Sequence, residues 1–264
     1  MGKLGQWYRQ VVQSPSVVVG ALIVAFGCWG YVASSVTVPV PVAASLIAAQ
    51  PPLLRQVRSA ATELPVDCAR VPCMALTFDD GPNATITPQI LDILDRHQAR
   101  ATFFLIGSHI AGNEEIVRRI QRSGHEIGNH TWSHRNLSTL SPQEVEAEIG
   151  QTQATITAIG VPAPHVMRPP YGEADTMVRS HTPLAVVMWN VDPEDWHAKK
   201  PEKIVEHIVA HAKPGAIVDL HDIWQVTADS LDPILSSLEQ TYHLVTVSEL
   251  LDLPPNQPGV FYAR

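Results

Sequence analysis

From Met74 onward, short apolar segments alternate with segments of helical periodicity, and this alternation limits the fold more than any other feature. Strands that alternate with helices along a chain generally pair in a parallel sheet. The apolar segments predict roughly seven strands, over residues 74–78, 101–106, 125–129, 166–168, 185–190, 216–220 and 244–247. The sequence therefore predicts an α/β domain.

Helices are predicted between these strands. Ser141, Pro142 and Glu144 form a capping-box pattern at the start of one of them, and Asn113 is a candidate N-cap for another. The predicted helices span residues 87–97, 114–122, 142–159, 174–179, 201–211 and 228–240.

Polar motifs follow the carboxyl ends of the predicted strands. A sheet closed into a barrel gathers these ends at one mouth, where barrel enzymes have their active sites. An open sheet would spread them along a crevice, so a barrel is the better interpretation. The motifs are Asp79-Asp80-Gly81-Pro82, His130-Thr131-Trp132-Ser133-His134, Arg168-Pro169-Pro170-Tyr171-Gly172, Asp192-Pro193-Glu194-Asp195-Trp196 and Leu220-His221.

Two of these motifs carry side chains that commonly bind a divalent metal. Asp79 and Asp80 end an apolar strand, where a carboxylate is costly without a partner. His130 and His134 are spaced so that both can lie on one face of a helical turn. One Asp and two His leave coordination positions open for water and substrate, which is typical of catalytic zinc. Taken alone, the two histidines are equally compatible with a capping or core pair.

Composition and charge exclude some functions. The chain has 264 residues, 45% of them hydrophobic, which suffices for one good-sized core. Its formal net charge of −8 argues against a nucleic-acid-binding protein, which normally has a basic face. The 12 histidines are scattered, unlike those of a His-rich metal-binding tract.

The N-terminal segment, residues 1–36, has the pattern of an export signal or a single membrane span. Lys3 and Arg9 precede an apolar run over residues 17–33, and no charged residue follows until Arg55. As a helix this run is roughly 25 Å long, slightly short of the ~30 Å hydrocarbon core. It exceeds the about 7–15 residues of a signal-peptide core. We expect an uncleaved anchor, with a cleaved signal as the alternative, and an exported domain in either case.

Residues 37–66 are predicted to be a linker, followed by a domain over residues 67–253 and a tail over residues 254–264. Cys68 and Cys73 lie just ahead of the first strand. In an exported protein, two cysteines this close are expected to form a disulfide that fixes the entry to the domain, with free thiols as the alternative.

The five motifs, taken in order, resemble those of polysaccharide deacetylases, the fourth carbohydrate esterase family, also called the NodB-homology domain. The resemblance covers about residues 70–250 and nothing before Val66. One motif alone would be weak, but five in the same order are highly specific. The resemblance implies a distorted (β/α)7-type barrel and metal-dependent removal of acetyl groups from polymeric sugars, mostly N-acetylglucosamine in chitin-like chains or peptidoglycan.

The resemblance also implies a role for individual residues. Asp80, His130 and His134 are expected to bind the metal, for which zinc is suitable and cobalt or manganese possible. Asp79 is expected to act as the general base and His221 as the general acid.

The remaining motif residues are expected to support this chemistry. Arg168 would pair with Asp79, Asp195 would tune His221, and the backbone N–H of Tyr171 would bind the developing oxyanion. Trp196 would form a wall of the acetyl pocket. The predicted substrate contacts are thus Tyr171, Pro170, Trp196 and Leu220. The alternatives are a second metal ligand or a turn cap for Asp79, a core position for His221, a surface cation for Arg168, simple ring packing for Tyr171, and a turn residue and a core aromatic for Asp195 and Trp196.

One residue departs from the family pattern. Asp219 stands where the family usually carries an apolar residue, and in an extended strand its side chain points to the same side as that of His221. We consider three consequences: a raised pKa of His221, an ion pair with a neighbouring Arg, or simple exposure to a wet pocket.

These features predict a membrane-tethered or secreted, monomeric enzyme that removes acetyl groups from N-acetylglucosamine polymers. The first alternative is an O-deacetylase of the same fold, for example one acting on acetylated xylan. Two further alternatives are a catalytically silent glycan-binding module on a membrane anchor and a zinc amidase that cuts a peptide bond.

Overall fold

A computed structural model describes residues 66–255 and 257–264. The predicted signal or anchor segment and all but the last residue of the predicted linker lie outside the described residues. Within the described part of the chain, none of the helices has the length and apolar character needed to cross a membrane.

Eight strands form one sheet in which all pairings are parallel. The strand order is β6-β1-β2-β3-β4-β5-β8, and β7 pairs with the beginning of β1. The predicted parallel α/β sheet is confirmed. The strands are β1 Cys73–Asp79, β2 Thr102–Leu105, β3 Glu126–Asn129, β4 Val166–Met167, β5 Ala185–Val187, β6 Ile217–His221, β7 His243–Leu244 and β8 Gly259–Phe261.

The helices of the described residues connect these strands. Ser141 accepts a hydrogen bond from the Glu144 N–H, and the Glu144 carboxylate accepts one from the Ser141 N–H, so the predicted capping box is confirmed. Asn113 precedes its helix, but its side chain makes no capping hydrogen bond and donates to the His109 carbonyl instead. The helices are α1 Ile86–His97, α2 Glu114–Arg122, α3 Pro142–Ala158, α4 Thr176–Ser180, α5 Pro201–His211, α6 Gln225–Leu238 and α7 Val247–Leu251.

The sheet curves into a half-barrel, and the segment that follows β5 returns to β6. Val191 forms an isolated parallel bridge with Val218. Its N–H donates to the Ile217 carbonyl at 3.1 Å, and its carbonyl accepts from the Asp219 N–H at 2.9 Å. These contacts are consistent with the predicted barrel.

Strand β1 and the helices beside it, including α1 and α6, contribute to the main core. All seven residues of β1 are buried, which explains its uninterrupted apolar run. Phe78 stacks on Phe103 at 5.1 Å between ring centroids. Leu94 of α1 and Leu231 of α6 are among the buried residues of the same cluster.

Two predictions near the C-terminus are wrong. The strand predicted over residues 244–247 ends at Leu244, because Thr246 and Glu249 form a capping box that begins α7. The predicted tail after residue 253 contains β8, which pairs with β5 and accepts a 2.7 Å hydrogen bond from the Met188 N–H at Phe261. An edge strand has unpaired backbone groups, which this pairing satisfies.

The chain enters the domain through the predicted disulfide. Cys68 and Cys73 are bonded, with their Cα atoms 5.5 Å apart, so the prediction is confirmed. Cys73 is also the first residue of β1. The disulfide therefore fixes the segment just before the sheet.

We expect the last residues of the chain to stabilise the domain. Ending the chain after residue 257 removes the whole pairing of β8 with β5, the hydrogen bond from Met188 to Phe261, and two bonds that Arg264 donates to the carbonyls of Gly215 and Leu250. The last three bonds alone, at about 1 kcal/mol each, contribute about 3 kcal/mol to the free energy of unfolding. The melting temperature should therefore fall by at least roughly 6 °C. The control is Tyr262→Ala, whose ring is 57% exposed. An unchanged melting temperature in the shortened chain would show that β8 is not part of the stable domain.

Candidate active site

The polar motifs meet because their strands are neighbours in register. Asp79, at the end of β1, is paired with His221 of β6 on one side and with Phe104 of β2 on the other. Asn129, at the end of β3, is paired with Leu105 of β2. The residues that follow these strand ends therefore lie on the same side of the sheet.

Asp80, His130 and His134 are brought together as predicted. One potential ligand atom from each of the three residues lies within 4.8 Å of the other two. Among the described residues, this is the cluster of His, Cys, Asp or Glu side chains close enough together to hold a metal ion. The Oδ1 atom of Asp80 is 3.4 Å from Nε2 of His130 and 3.2 Å from Nε2 of His134.

The hydrogen bonds of this group fit a divalent cation. Nδ1 of His130 lies 2.7 Å from the Arg168 carbonyl, which can only accept, so Nδ1 carries a proton. In the neutral ring Nε2 then presents a lone pair towards Asp80, the usual arrangement of a metal-binding histidine. Oδ1 of Asp80 is buried and has no hydrogen-bond partner. A cation between these facing acceptors would satisfy both.

The protonation states also suit a metal site. Burial alone would raise the pKa of Asp80, but the neighbouring imidazoles of His130, His134 and His221 lower it to about 2. Burial and the neighbouring charge of His130 lower the pKa of His134. The carboxylate is therefore ionised and the neutral form of His134 is favoured, as metal ligation requires. Burial alone would lower the pKa of His130, but the charges of Asp79 and Asp80 raise it, so a cation that binds there would displace a proton from this ring.

The backbone at this site is strained. Asp80, Thr131, His134 and Tyr171 have φ angles of 73°, 65°, 57° and 62°, in the left-handed region. Such conformations cost about 1–3 kcal/mol each for residues other than glycine and concentrate at functional sites. The surrounding contacts must therefore hold these residues in place.

Gly81 has a steric role beside this group. A β-carbon at Gly81 would lie 2.3 Å from a carboxylate oxygen of Asp222, which is fully buried and bonded to the hydroxyl of Thr87. Burial raises the pKa of Asp222 to about 7, aided by the charges of Asp80 and Asp79. Any larger residue at position 81 would displace this contact.

Arg168 is fully buried between two carboxylates. Its Nη1 atom lies 2.9 Å from Oδ1 of Asp79 and 2.5 Å from Oδ1 of Asp219. The same atom donates to the hydroxyl of Thr77 at 2.8 Å. The structure thus places Arg168 against Asp79, and it shows two of the three consequences considered for Asp219, an ion pair with an Arg and a raised pKa of His221.

One guanidinium does not neutralise two buried carboxylates. Burial raises the pKa of Asp219, and the charge of Asp79 raises it further, while Arg168 and His221 act in the opposite direction. The net effect is a pKa well above the usual range of an aspartate.

His221, which is partly exposed, pairs with the buried Asp195. Nδ1 of His221 lies 2.7 Å from Oδ1 of Asp195. The other carboxylate oxygen of Asp195 accepts hydrogen bonds from the backbone N–H of His221 at 2.8 Å and from the Thr227 hydroxyl at 2.5 Å. Burial alone would lower the pKa of His221, but the hydrogen bond to Asp195, with the charges of Asp195, Asp79 and Asp219, raises it to about 10.

The residues predicted to contact substrate divide into two groups. Tyr171 and Trp196 are exposed, by 66% and 55%, and the Tyr171 ring meets that of His134 edge-on at 4.8 Å between centroids. Pro170 is buried, and Leu220 lies fully buried in the main core. The structure therefore brings only the two aromatic side chains to the surface.

Sequence analysis missed three side chains at this site. The hydroxyl of Thr227 binds Asp195 from α6, and nothing in its sequence neighbourhood indicates this. Trp224 is an exposed aromatic three residues after His221. Glu148 of α3 accepts hydrogen bonds from backbone N–H groups between His130 and His134. Glu148 could have been found, because it occupies a helical position whose neighbours in the repeat, such as Val145 and Thr152, are buried.

Comparison with known proteins gives a consistent result. The family model described as polysaccharide deacetylase matches residues 67–184. The peptidoglycan-N-acetylmuramic acid deacetylase PdaC of Bacillus subtilis is 43% identical over 178 residues, which is 67% of this chain and 38% of that protein. A peptidoglycan-N-acetylglucosamine deacetylase of Bacillus cereus is 41% identical over 187 residues, 67% of this chain and 87% of that protein.

A solved structure extends the likeness to three dimensions. The family 4 acetyl xylan esterase of Clostridium thermocellum, determined in complex with a cobalt ion, is 31% identical. The match has a TM-score of 0.69 and covers 72% of this chain and 98% of that one. The chain spans well under half the length of the Bacillus subtilis relative but most of the length of the other two proteins. With its five motifs gathered at one end of a parallel half-barrel, the chain belongs to the polysaccharide deacetylase family.

Proposed function

We propose that the protein is a metal-dependent deacetylase that hydrolyses acetyl groups from N-acetylglucosamine units of peptidoglycan or a chitin-like polysaccharide. The observation that carries the proposal is the unpartnered, buried Oδ1 of Asp80, which faces the Nε2 atoms of His130 and His134. The Asp79–Arg168 and His221–Asp195 pairs accompany it. Relatives named for peptidoglycan deacetylation support the choice of substrate.

Asp80, His130 and His134 would hold the metal. An imidazole and carboxylate ligand set suits zinc, and cobalt and manganese are compatible with it. When bound, a divalent cation supplies Lewis-acid polarisation of the acetyl carbonyl and makes water more acidic.

Asp79 would remove the proton from the attacking water. Its Oδ1 is bound by Arg168, while its Oδ2 lies 3.7 Å from Nε2 of His130 and so faces the proposed metal site. Arg168 thus orients Asp79 with one oxygen free.

His221 would protonate the leaving amine. Asp195 binds Nδ1, which leaves Nε2 as the atom that can transfer a proton. The pKa of His221, raised to about 10, keeps the imidazole protonated at neutral pH. An acid must hold its proton until the leaving group departs, so this environment suits the role.

The exposed aromatic side chains would contact the sugar. Trp196 directly follows Asp195, the partner of His221, and Trp224 lies three residues after His221. Tyr171 lies on the side of His134. Flat rings with an exposed face suit the apolar face of a pyranose, and we assign the Tyr171 N–H to the oxyanion. Pro170 and Leu220 would support this pocket from beneath.

The predictions about the complete barrel, the oligomeric state and the location belong to the same proposal. We infer a complete distorted (β/α)7-type barrel, a monomer, and action outside the cytoplasm with the N-terminal segment as anchor or signal. The location is supported by relatives named for peptidoglycan, which is an external polymer. O-deacetylation is the second candidate, because the acetyl xylan esterase match has a TM-score of 0.69.

Acetate release from defined substrates tests the reaction. The full chain would be incubated with N-acetylglucosamine oligomers, peptidoglycan and acetylated xylan, with zinc and after chelation. We expect zinc-dependent release from the oligomers, reduced by about 10²–10⁴-fold in Asp79→Asn, because the base is lost.

Each other outcome would change the proposal. Release from acetylated xylan alone would make the protein an O-deacetylase. Release from peptidoglycan but not from the oligomers would direct attention to N-acetylmuramic acid. No release by a zinc-loaded protein would favour the glycan-binding module.

The pH dependence of the reaction tests the position of Asp219. Above its raised pKa, Asp219 is ionised and helps to keep His221 protonated. Activity is lost as pH rises through the pKa of the acid. Asp219→Asn removes the charge and lowers the pKa of His221, so the alkaline limb of kcat/KM should move to lower pH. Glu146→Gln, an exposed substitution on α3, is the control. An unmoved alkaline limb would show that Asp219 does not influence the acid.

A further inference from the structure

The loop between the two histidine ligands has an unfavourable backbone. Thr131 begins it and His134 ends it, both with φ in the left-handed region. Neither residue is a glycine, so each of these conformations costs free energy. Without supporting contacts, the loop would relax and separate the two Nε2 atoms.

One side of the loop is held through its carbonyl groups. The N–H groups of Gly107 and Ser108 donate to the carbonyls of Thr131 and Trp132 at 2.9 and 3.0 Å. Gly107 approaches closely, since a β-carbon there would lie 2.6 Å from the Trp132 ring. These bonds involve only the carbonyl groups of the loop. The N–H groups of Trp132 and Ser133 have a different partner.

A single buried carboxylate binds those two N–H groups. Oε2 of Glu148 accepts from the Trp132 N–H at 2.9 Å and the Ser133 N–H at 2.8 Å. Its other oxygen accepts from the Ser133 hydroxyl at 2.6 Å. Hydrogen bonds to an ionised acceptor are about twice as strong as neutral ones. Glu148 is 8% exposed, so little water competes for them.

The position of Glu148 makes a purely structural role in α3 a poor explanation. It lies on the buried face of the helix, next to Ile149, where an apolar side chain would be less costly. All the hydrogen bonds that its carboxylate accepts come from residues between His130 and His134. Through this segment, the carboxylate of Glu148 is placed to control the distance between His130 and His134.

We propose that Glu148 is a positioning residue that preforms the metal site by holding the Trp132–Ser133 segment between the two histidines. The inference rests on the proposed metal dependence but concerns affinity for the metal and not turnover. Side chains that orient metal ligands typically contribute 10–100-fold to metal affinity.

The experiment measures zinc affinity of the full chain by competition with a chromophoric chelator. We expect Glu148→Ala to bind zinc at least about 10-fold more weakly. Glu148→Gln keeps an acceptor oxygen for both N–H groups, so its loss should be smaller. The control Glu146→Ala changes an exposed glutamate of the same helix and should leave affinity unchanged.

A folded Glu148→Ala protein that binds zinc within about threefold of the parent chain would overturn the proposal. If that variant does not fold by circular dichroism, Glu148→Asp replaces it under the same threshold. Aspartate keeps the charge but is one methylene too short to reach both N–H groups. Failure of the parent chain to bind zinc would instead overturn the proposed function, so the two failures are distinguishable.

Discussion

The guanidinium of Arg168 is the group on which the rest of the site depends. It binds Asp79 and Asp219 through one nitrogen, and its Nε donates to the Val187 carbonyl at 3.0 Å. The backbone carbonyl of Arg168 meanwhile accepts a hydrogen bond from Nδ1–H of His130. Removal of a buried cation leaves its carboxylate partners uncompensated, at a cost of several kcal/mol. The proposed base and one proposed metal ligand are therefore oriented by the same residue, on β-strand ends that belong to one sheet.

Much of the site could be predicted because its residues belong to short motifs that directly follow strands of one parallel sheet. Asp80, His130 and His134 meet as expected, since parallel neighbours present their carboxyl ends at one edge. Arg168 meets Asp79 as the resemblance implies. Asp219 was recognised only as a departure from the family pattern with three possible consequences, and the structure shows two of them, the contact with Arg168 and the raised pKa of His221.

The parts that could not be predicted depend on contacts made by residues that belong to no recognised motif. Thr227 meets Asp195 because α6 begins beside the end of β6, and a threonine in a helix carries no signal of such a partner. The β8 strand joins the sheet because β5 has a free edge, whereas its own sequence is only three residues long and begins with a glycine. At residues 244–247 a local capping box prevailed over β-branched residues, although its sequence pattern was visible.

The left-handed backbone at Asp80 and His134 has a consequence for how such a chain evolves. Glycine would adopt these φ angles without strain, so replacing either residue by glycine would relieve the backbone while removing a side chain of the proposed metal site. Selection for stability and selection for function therefore oppose each other at these positions. A descendant released from its function would be free to exchange these residues for more stable ones while its fold persisted.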